Sequence, residues 1–370
     1  MKLFYSCNVL EDDSFELSGE FSVTQNELEL ISSKAFKNKE GLTDYRHRYQ
    51  KIEVVYKCQW HQQENWSSDK PTLLIPIRNN KELIEYTIDN LNNTVASNLC
   101  NTIIIDDRST EDIRTSALDN NLSYLRVDNE RGFNFSMLNN IAAKVCDILG
   151  SSTIILWNSD LWCPKEGWLT ELLKRHKASK AWVSGTKLVY PPEEMSLGQE
   201  LDTKNIEEHF PDKTSGVWRE TIQFGGSYWH PVPIQNATLP PVYWVAAHHR
   251  RFTQKSDPIA NCDKPTDFVT GAFHIWELDK FIQLGGLNPC MAKVFQDTDL
   301  CLKALKAGHP PMYFGKNIYL YHDESYNHHH NGSEKKLDKQ FFSDQIIFGK
   351  YWNEQILSLI VGPQPGNHCE

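Results

Sequence analysis

The sequence predicts an α/β protein whose mostly parallel sheet carries helices on both faces. Three observations support this fold class. Short, entirely apolar segments recur from residue 71 onward, segments with apolar residues at helical spacing alternate with them, and polar or acidic residues directly follow several of the apolar segments. Strands that are apolar throughout are typical of parallel sheets, because helices bury both faces of such a sheet.

Strands and helices are predicted in strict alternation along this part of the chain. The predicted elements are strand 73–77, helix 81–93, strand 102–107, helix 111–118, strand 123–127, helix 136–149 and strand 153–160. Ligands of such sheets bind beyond the carboxyl ends of the strands, so we expect functional residues at 76–79, 106–109 and 158–160. No GxGxxG or GxxxxGK[ST] motif follows the first strand, which argues against a dinucleotide dehydrogenase and a P-loop NTPase.

Length, charge and cysteine content narrow the class of protein further. The chain has 370 residues, and at about 150 residues per domain this allows two or three domains or one enlarged domain. A net charge of −10 disfavours non-specific binding to nucleic acid or to an anionic membrane. No apolar run approaches the roughly 18 residues of a membrane span, and the first residues do not read as a secretory signal, so a cytoplasmic location is expected. The nine cysteines form no CxxC pair, which predicts mostly buried, reduced thiols.

The last predicted strand ends in the tripeptide Asn158, Ser159, Asp160. Residue types alone allow two interpretations of it. Asn, Ser and Asp commonly form turns. Alternatively, the Asp160 carboxylate binds Mg²⁺ or Mn²⁺ together with phosphate oxygens, because these ions take oxygen ligands.

Eight segments, taken together and in order, resemble family 2 glycosyltransferases, which are inverting enzymes of the GT-A fold that use nucleotide-sugar donors. The segments lie between residues 71 and 325 and read IPIRNN, IIIDDRSTED, RGFNFSMLNN, ILWNSD, VTGAF, GGLN, FQDTDLCLKALKAGH and LYHDES. The FNFS…NN and DxDLCLK patterns are especially similar to bacterial and viral members that build surface polysaccharides. The resemblance implies a GT-A domain over this part of the chain.

The resemblance also implies where the nucleotide of the donor binds. Residues at the strand ends would hold its base and ribose, residues at the start of the third helix would lie beside it, and the strand-end turn would complete the site. These residues are Pro76, Arg78, Asp106, Asp107, Arg131, Gly132, Asn139, Asn158 and Ser159. A surface ion pair is the alternative for either arginine. UDP, GDP and dTDP donors are all compatible with these segments.

Two residues match the metal ligands of the family. Asp160 stands where the last acid of the DxD-type motif falls, and Asn158 replaces the first acid. A single carboxylate supplies few ligands to a metal, and His322 stands where the family often supplies a further one. The implied cofactor is Mn²⁺ or Mg²⁺, with imidazole favouring Mn²⁺. The alternative for His322 is an ordinary core or surface histidine.

Asp297 matches the catalytic base of the family, which takes the proton of the acceptor hydroxyl. Its position also suits a purely structural role, because acidic residues in the first turn of a helix stabilise the helix dipole. Residues that would contact the sugar or the acceptor lie in the VTGAF and QDTD segments and among the aromatic residues of 190–267. They are Gly271, Ala272, Gln296, Asp299, Trp229 and Trp244.

The predicted organisation has three parts. Residues 1–70 form a β-containing extension, residues 71–334 a GT-A domain enlarged by an aromatic insertion at about 190–267, and residues 335–370 a helical tail. The aromatic residues of the insertion either stack on sugar rings or form a small core of their own. The amphipathic helix expected within the tail packs either on the core or at the contact of a homodimer, and its few basic residues weaken the case for membrane attachment.

The predicted function is metal-dependent, inverting transfer of a sugar from a nucleotide sugar to a hydroxyl of a glycan or glycolipid acceptor, in polysaccharide biosynthesis. The expected location is the cytoplasm, including the inner face of a membrane, with no nucleic-acid partner. Two alternatives stay open: a nucleotidyltransferase of the same fold, and a non-catalytic relative that binds nucleotide sugars or glycans.

Overall fold

The computed structural model describes residues 4–9, 14–21, 52–96, 98–128, 133–195, 218–233, 242–323, 344–345, 347–349 and 351–359. Two predicted site residues, Arg131 and Gly132, lie outside this part of the chain, as does the first half of the predicted tail helix.

The strands are β1 (Phe4–Val9), β2 (Ser14–Phe21), β3 (Ile52–His61), β4 (Thr72–Ile77), β5 (Asn101–Asp106), β6 (Ser123–Val127), β7 (Thr153–Trp157), β8 (Leu161–Trp162), β9 (Val183–Thr186), β10 (Leu188–Val189), β11 (Ile222–Phe224), β12 (Ser227–Pro233), β13 (Val242–His248), β14 (Asp263–Pro265), β15 (Phe273–Glu277), β16 (Met312–Phe314) and β17 (Leu320–His322). The helices are α1 (Lys81–Thr94), α2 (Ile113–Asp119), α3 (Phe135–Ile148), α4 (Trp168–Ser179), α5 (Leu278–Gln283), α6 (Gln296–Lys306) and α7 (Ile356–Leu359).

The centre of the molecule is a parallel sheet. Strands β6, β5, β4 and β7 lie side by side and parallel, and every residue of β4 and β5 is buried. Their carboxyl ends share one edge because the strands run in the same direction. Helices α1, α2 and α3 follow β4, β5 and β6 in the chain, and the apolar faces of α1 and α3 are buried. The predicted α/β class, with a parallel centre of the sheet and helices that cover it, is confirmed.

Antiparallel strands extend this parallel centre on both sides. Among the described residues, eleven strands form the sheet in the order β1-β2-β3-β6-β5-β4-β7-β15-β9-β16-β14. On one side, β15 runs antiparallel between β7 and β9. On the other side, β3 pairs with β6, with Cys58 opposite Val127, so the strands before residue 62 continue the sheet of the main domain.

A second, four-stranded sheet brings distant parts of the chain together in the order β11-β10-β17-β8. In this sheet β17 pairs with β8, and His322 lies opposite Leu161. Since Asp160 directly precedes β8, this register places it beside His322. The outer strand, β11, belongs to the segment that the sequence identifies as an insertion.

A smaller apolar cluster joins the C-terminal segment to the rest of the domain. It contains Cys290, Met291, Phe295, Leu302, Ile347, Phe348, Trp352 and Ile356. Residues of the loop before α6 and of α6 itself therefore pack directly against residues 347–356. No helix in the described part of the chain is both long enough and apolar enough to span a bilayer.

Candidate active site

The loops after β4 and β5 hold each other at the carboxyl edge of the sheet. Asn79 and Asn80 both adopt left-handed backbone conformations, with φ of 58° and 60°. The Asn79 N–H donates to Ser109 Oγ at 2.7 Å, and the Lys81 N–H donates to Glu111 Oε2 at 2.6 Å. Glu111 thus satisfies one of the free N–H groups at the start of α1, a position where negative charge is favourable.

Asp106 is tied to the protein at both carboxylate oxygens. It is fully buried, and Oδ1 accepts the Ser109 N–H at 2.8 Å. Oδ2 accepts Tyr124 Oη–H at 2.5 Å and Arg126 Nη1–H at 2.9 Å. Burial, reinforced by the hydrogen bond to Asp106, raises the pKa of Tyr124 above its usual range. The Asp106 carboxylate therefore holds the loop after β5 against β6.

Asp107 pairs with the other predicted nucleotide residue of this edge, Arg78. Asp107 Oδ2 lies 3.4 Å from Arg78 Nη1, and the arginine side chain is 38% exposed while the aspartate is buried. Pro76 lies inside β4, two residues before Arg78. The pairing of β4 with β7 ends before it, at Leu74. The missing N–H of Pro76 therefore costs no hydrogen bond to β7.

Asn139 and Ser159 are both buried, at 0% and 3% exposure, but they are anchored differently. Asn139 donates from Nδ2 to the Phe135 carbonyl within α3, at 2.8 Å, and its buried Oδ1 has no hydrogen-bond partner in the described structure. The Ser159 carbonyl accepts Thr87 Oγ1–H from α1. The backbone of Ser159 is thereby fixed to a helix that packs on the sheet.

Asp160 and His322 form the central pair of the site. Asp160 Oδ1 lies 3.1 Å from His322 Nε2, and the two side chains are almost completely buried. Asn158 Nδ2 lies 3.5 Å from the same ring nitrogen, a long contact. The other ring nitrogen, Nδ1, lies 2.6 Å from Gln223 Oε1. The sequence prediction paired Asp160 with His322, and the pairing of β8 with β17 brings them into contact.

The donor atoms of this pair suit a divalent cation. Asp160 Oδ1 is buried and has no hydrogen-bond partner in the described structure, although an imidazole nitrogen faces it. One carboxylate and one imidazole are compatible with Mn²⁺. No third His, Cys, Asp or Glu completes a cluster among the described residues. Two protein ligands leave the remaining positions to water and to phosphate oxygens, as is usual for Mg²⁺-type sites.

Asp297 stands in the first turn of α6 with its carboxylate held by backbone groups. Oδ2 accepts the Gly271 N–H at 2.6 Å, and Oδ1 accepts the Thr298 N–H at 2.7 Å. The residue as a whole is only partly buried. His274 lies close enough to feel its charge, but burial dominates and lowers the pKa of this histidine. A carboxylate held in a fixed position is what a general base requires.

Gln296 and Asp299, the neighbours of Asp297, are both buried. Asp299 Oδ1 accepts Trp352 Nε1–H at 2.8 Å, and Oδ2 lies 2.6 Å from Lys303 Nζ. Gln296 donates from Nε2 to the Lys293 carbonyl at 3.2 Å. Asp299 thus ties α6 to the C-terminal segment, and its carboxylate points into protein contacts.

Trp229 and Trp244, predicted as sugar contacts, both pack on the smaller apolar cluster. Trp229 stacks on Phe348 with ring centroids 6.2 Å apart and donates from Nε1 to Asp267 Oδ2 at 3.0 Å. The Trp244 N–H donates to Asn353 Oδ1. These contacts match the alternative in which the aromatic residues of the insertion form part of a core.

Sequence reasoning missed three residues of the site. Arg126 and Tyr124 lie on β6, a predicted strand, and the rule that polar residues matter at strand ends would have found Arg126. Gln223 lies in the insertion, and no pattern in the sequence pointed to it.

Two buried cysteines, Cys146 and Cys163, are poor candidates for a nucleophile. Cys58, Cys100, Cys146, Cys163, Cys290 and Cys301 carry free thiols. Burial raises the pKa of the Cys146 and Cys163 thiols to about 12, which keeps them protonated and unreactive at neutral pH.

Comparison with known families finds one match, over the parallel centre of the sheet and the strands that follow it. Residues 72–229, less than half of the chain, match the family model described as glycosyl transferase family 2. This match agrees with the family that the eight sequence segments resemble, over the first four of those segments. No curated protein matches the chain at a significant level.

Three solved structures are similar to the chain at low identity. They are GalNAc-T7 with UDP, GalNAc and Mn²⁺ (12% identity, TM-score 0.46, 82% of this chain and 53% of that one), the mannosyltransferase PcManGT from Pyrobaculum calidifontis with GDP-Man and Mn²⁺ (12%, 0.45, 85% and 74%), and S. aureus TarS 1–349 with UDP (13%, 0.40, 68% and 60%). The chain thus spans about half of the GalNAc-T7 chain and three fifths of the TarS chain.

Proposed function

We propose that the protein transfers a sugar, with inversion, from a nucleotide-sugar donor to a hydroxyl group, and that the transfer depends on a divalent cation bound by Asp160 and His322. The observation that carries the proposal is the convergence of Asp160 Oδ1 and His322 Nε2, 3.1 Å apart and buried at the carboxyl edge of the sheet. A carboxylate oxygen and an imidazole nitrogen at this distance can ligate one divalent cation together.

The nucleotide is proposed to lie along the same edge. Asp107 and Arg78 offer an acceptor and a donor to its base and ribose, 3.4 Å apart. Its diphosphate would approach Asp160 and His322. A divalent cation there would neutralise the charge that develops on the leaving diphosphate. An acidic protein can thus hold an anionic donor without a basic surface.

Asp297 is the proposed general base. The acceptor hydroxyl oxygen attacks the anomeric carbon, the bond between that carbon and the diphosphate oxygen breaks, and the hydroxyl proton passes to an Asp297 carboxylate oxygen. The Gly271 and Thr298 N–H groups hold the carboxylate in place, so it needs no reorientation during the reaction. The nucleoside diphosphate leaves from the opposite face of the sugar.

A single set of assays tests the proposal. Wild-type protein is incubated with UDP-, GDP- and dTDP-sugars, with and without Mn²⁺, and release of the nucleoside diphosphate is measured. Release from at least one donor, lost on chelation, is expected. Asp160→Asn should lose Mn²⁺ binding in calorimetry as well as activity. Absence of release from every donor, or release that survives chelation, would contradict the metal-dependent mechanism.

The finer parts of the proposal rest on the family resemblance. They are a glycan or glycolipid acceptor in polysaccharide biosynthesis, a cytoplasmic location at the inner face of a membrane, and a homodimer formed through the C-terminal helix. The domain boundaries at residues 70 and 334 likewise stay predictions.

A further inference from the structure

Gln223 contacts the imidazole of His322 on the side opposite Asp160. Its Oε1 lies 2.6 Å from His322 Nδ1, and the glutamine side chain is 1% exposed. Gln223 sits on β11, which pairs with β10, and β10 in turn pairs with β17, the strand of His322. The segment identified as an insertion therefore supplies a partner to the proposed metal ligand.

The amide oxygen decides which nitrogen of His322 carries the proton. An amide oxygen only accepts hydrogen bonds, so at 2.6 Å the proton must sit on Nδ1. In the neutral imidazole with this tautomer, the Nε2 lone pair is available to a cation shared with Asp160 Oδ1, which lies 3.1 Å away. Histidines that bind metals commonly donate their other ring N–H in this manner.

Within the described part of the chain, only one end of the Gln223 amide makes a hydrogen bond. Its neighbours on β11, Ile222 and Phe224, are buried apolar residues. Gln223 Nε2 is buried without a hydrogen-bond partner in the described structure. An unpartnered buried amide N–H carries a desolvation cost, whereas an apolar residue of similar size would avoid it. The contact with His322 is the favourable interaction that its Oε1 makes.

We propose that Gln223 is a positioning residue of the metal site: it holds His322 in the tautomer that directs the Nε2 lone pair toward the cation shared with Asp160. This inference rests on the proposed function, since it assumes that Asp160 and His322 bind a divalent cation. It goes further in making cation affinity depend on a strand outside the eight segments of the family resemblance.

Three variants test the role of Gln223. Gln223→Met keeps the size of the side chain and removes the acceptor, and Gln223→Glu keeps an acceptor for the Nδ1 proton. Gln63→Met is the matched control, because Gln63 is also buried and its Oε1 accepts the Thr102 N–H at 3.0 Å, at the opposite end of β5 from the site. Thermal unfolding of all proteins establishes that each variant folds.

The first readout is the dissociation constant for Mn²⁺ alone, measured by electron paramagnetic resonance of the free ion. We expect Gln223→Met to bind Mn²⁺ about 10- to 100-fold more weakly, the effect typical of losing such a partner. Gln223→Glu should stay within a few-fold of wild type or bind more tightly, and Gln63→Met should match wild type. If Gln63→Met lost as much Mn²⁺ affinity as Gln223→Met, the loss would reflect general destabilisation, and the inference would be overturned.

The second readout is the tautomer of His322, from nitrogen-15 NMR of histidine-labelled protein without metal. Wild type and Gln223→Glu should show the proton on Nδ1, and Gln223→Met should lose this preference. A proton on Nε2 in wild type, or unchanged Mn²⁺ affinity in Gln223→Met, would overturn the inference. If wild type binds Mn²⁺ and Asp160→Asn does not, the proposed metal site stands whatever Gln223→Met shows; if wild type binds none, both fail.

Discussion

Gly271 donates its backbone N–H to Oδ2 of Asp297 over 2.6 Å, and the next residue, Ala272, accepts the Asn158 N–H at 3.0 Å. One short backbone segment therefore links the proposed base on α6 to the strand-end turn that carries Asp160. Gly271 and Ala272 were predicted as contacts to sugar or acceptor, and in the structure their backbone groups hold both halves of the site in register.

Gly271→Ala should impair the chemical step more than binding. A Cβ on Gly271 would lie 3.1 Å from both Cβ and Oδ2 of Asp297, too close for the carboxylate to keep its place. A misplacement of about 1 Å can cost about 100-fold in rate, so we expect this smaller shift to lower kcat by up to about that factor while Mn²⁺ affinity stays unchanged. Steady-state kinetics and Mn²⁺ titration measure both quantities.

Gly308→Ala is the control for that variant. Gly308 has a positive φ, a backbone conformation that is strained for alanine, but an added Cβ would meet no atom within 4 Å. This variant should lose stability without losing kcat. Equal kcat values for Gly271→Ala and wild type would contradict the assigned role of Gly271.

Trp352→Phe should destabilise the protein through the loss of one buried hydrogen bond. Trp352 Nε1 donates to Asp299 Oδ1 at 2.8 Å, and the variant would leave that buried carboxylate oxygen without this donor. The expected loss in free energy of unfolding is about 1–3 kcal/mol beyond the packing effect. Urea denaturation measures it. In Trp168→Phe, the matched control, the replaced indole N–H has no partner in the described structure. Similar losses in the two variants would show that the hydrogen bond to Asp299 contributes nothing.

Lys187 should make stability increase with pH in the alkaline range. It is 1% exposed, and burial lowers its pKa to about 8, against the opposing charges of Asp257 and Asp263. An unfolded lysine titrates near pH 10.4, so between about pH 8 and 10.4 the unfolded state binds more protons than the folded state. The free energy of unfolding therefore rises with pH across this window.

Comparing wild type with Lys187→Met isolates the effect of this lysine. The difference in free energy of unfolding between the two should shift in favour of wild type from about pH 8 to 10.4, and should be constant below pH 7. Urea denaturation over this pH range measures the difference. A constant difference over the whole range would show that Lys187 titrates normally.

The central elements could be predicted because local patterns encode them: strands buried on both faces are apolar throughout, and the helices carry apolar residues at helical spacing. Strand β6 matches its predicted range, 123–127, and α1 differs by one residue from the predicted 81–93. Apolar runs between amphipathic helices have no other stable arrangement than a covered sheet. The pairing of Asp160 with His322 was predictable for a different reason: both residues occupy motif positions of the family.

Residues whose roles depend on distant partners could not be predicted in the same way. Asp106 and Asp107 are adjacent acids at one strand end, and only the positions of Tyr124 and Arg126 on the neighbouring strand show that Asp106 is engaged by the protein. Trp229 was assigned a sugar contact on its residue type. Its stacking on Phe348 depends on where the C-terminal segment docks, which no local pattern encodes.

The most direct test of the proposed mechanism is the effect of Asp297→Asn on transfer, with Asp279→Asn, an exposed acid on α5, as control. Nucleoside diphosphate release is measured with the best donor, Mn²⁺ and acceptor, together with Mn²⁺ affinity for each protein. We predict a fall of about 100- to 10,000-fold in kcat for Asp297→Asn, unchanged Mn²⁺ affinity, and wild-type behaviour for Asp279→Asn. Undiminished release by Asp297→Asn in the presence of acceptor would contradict the assignment of the base.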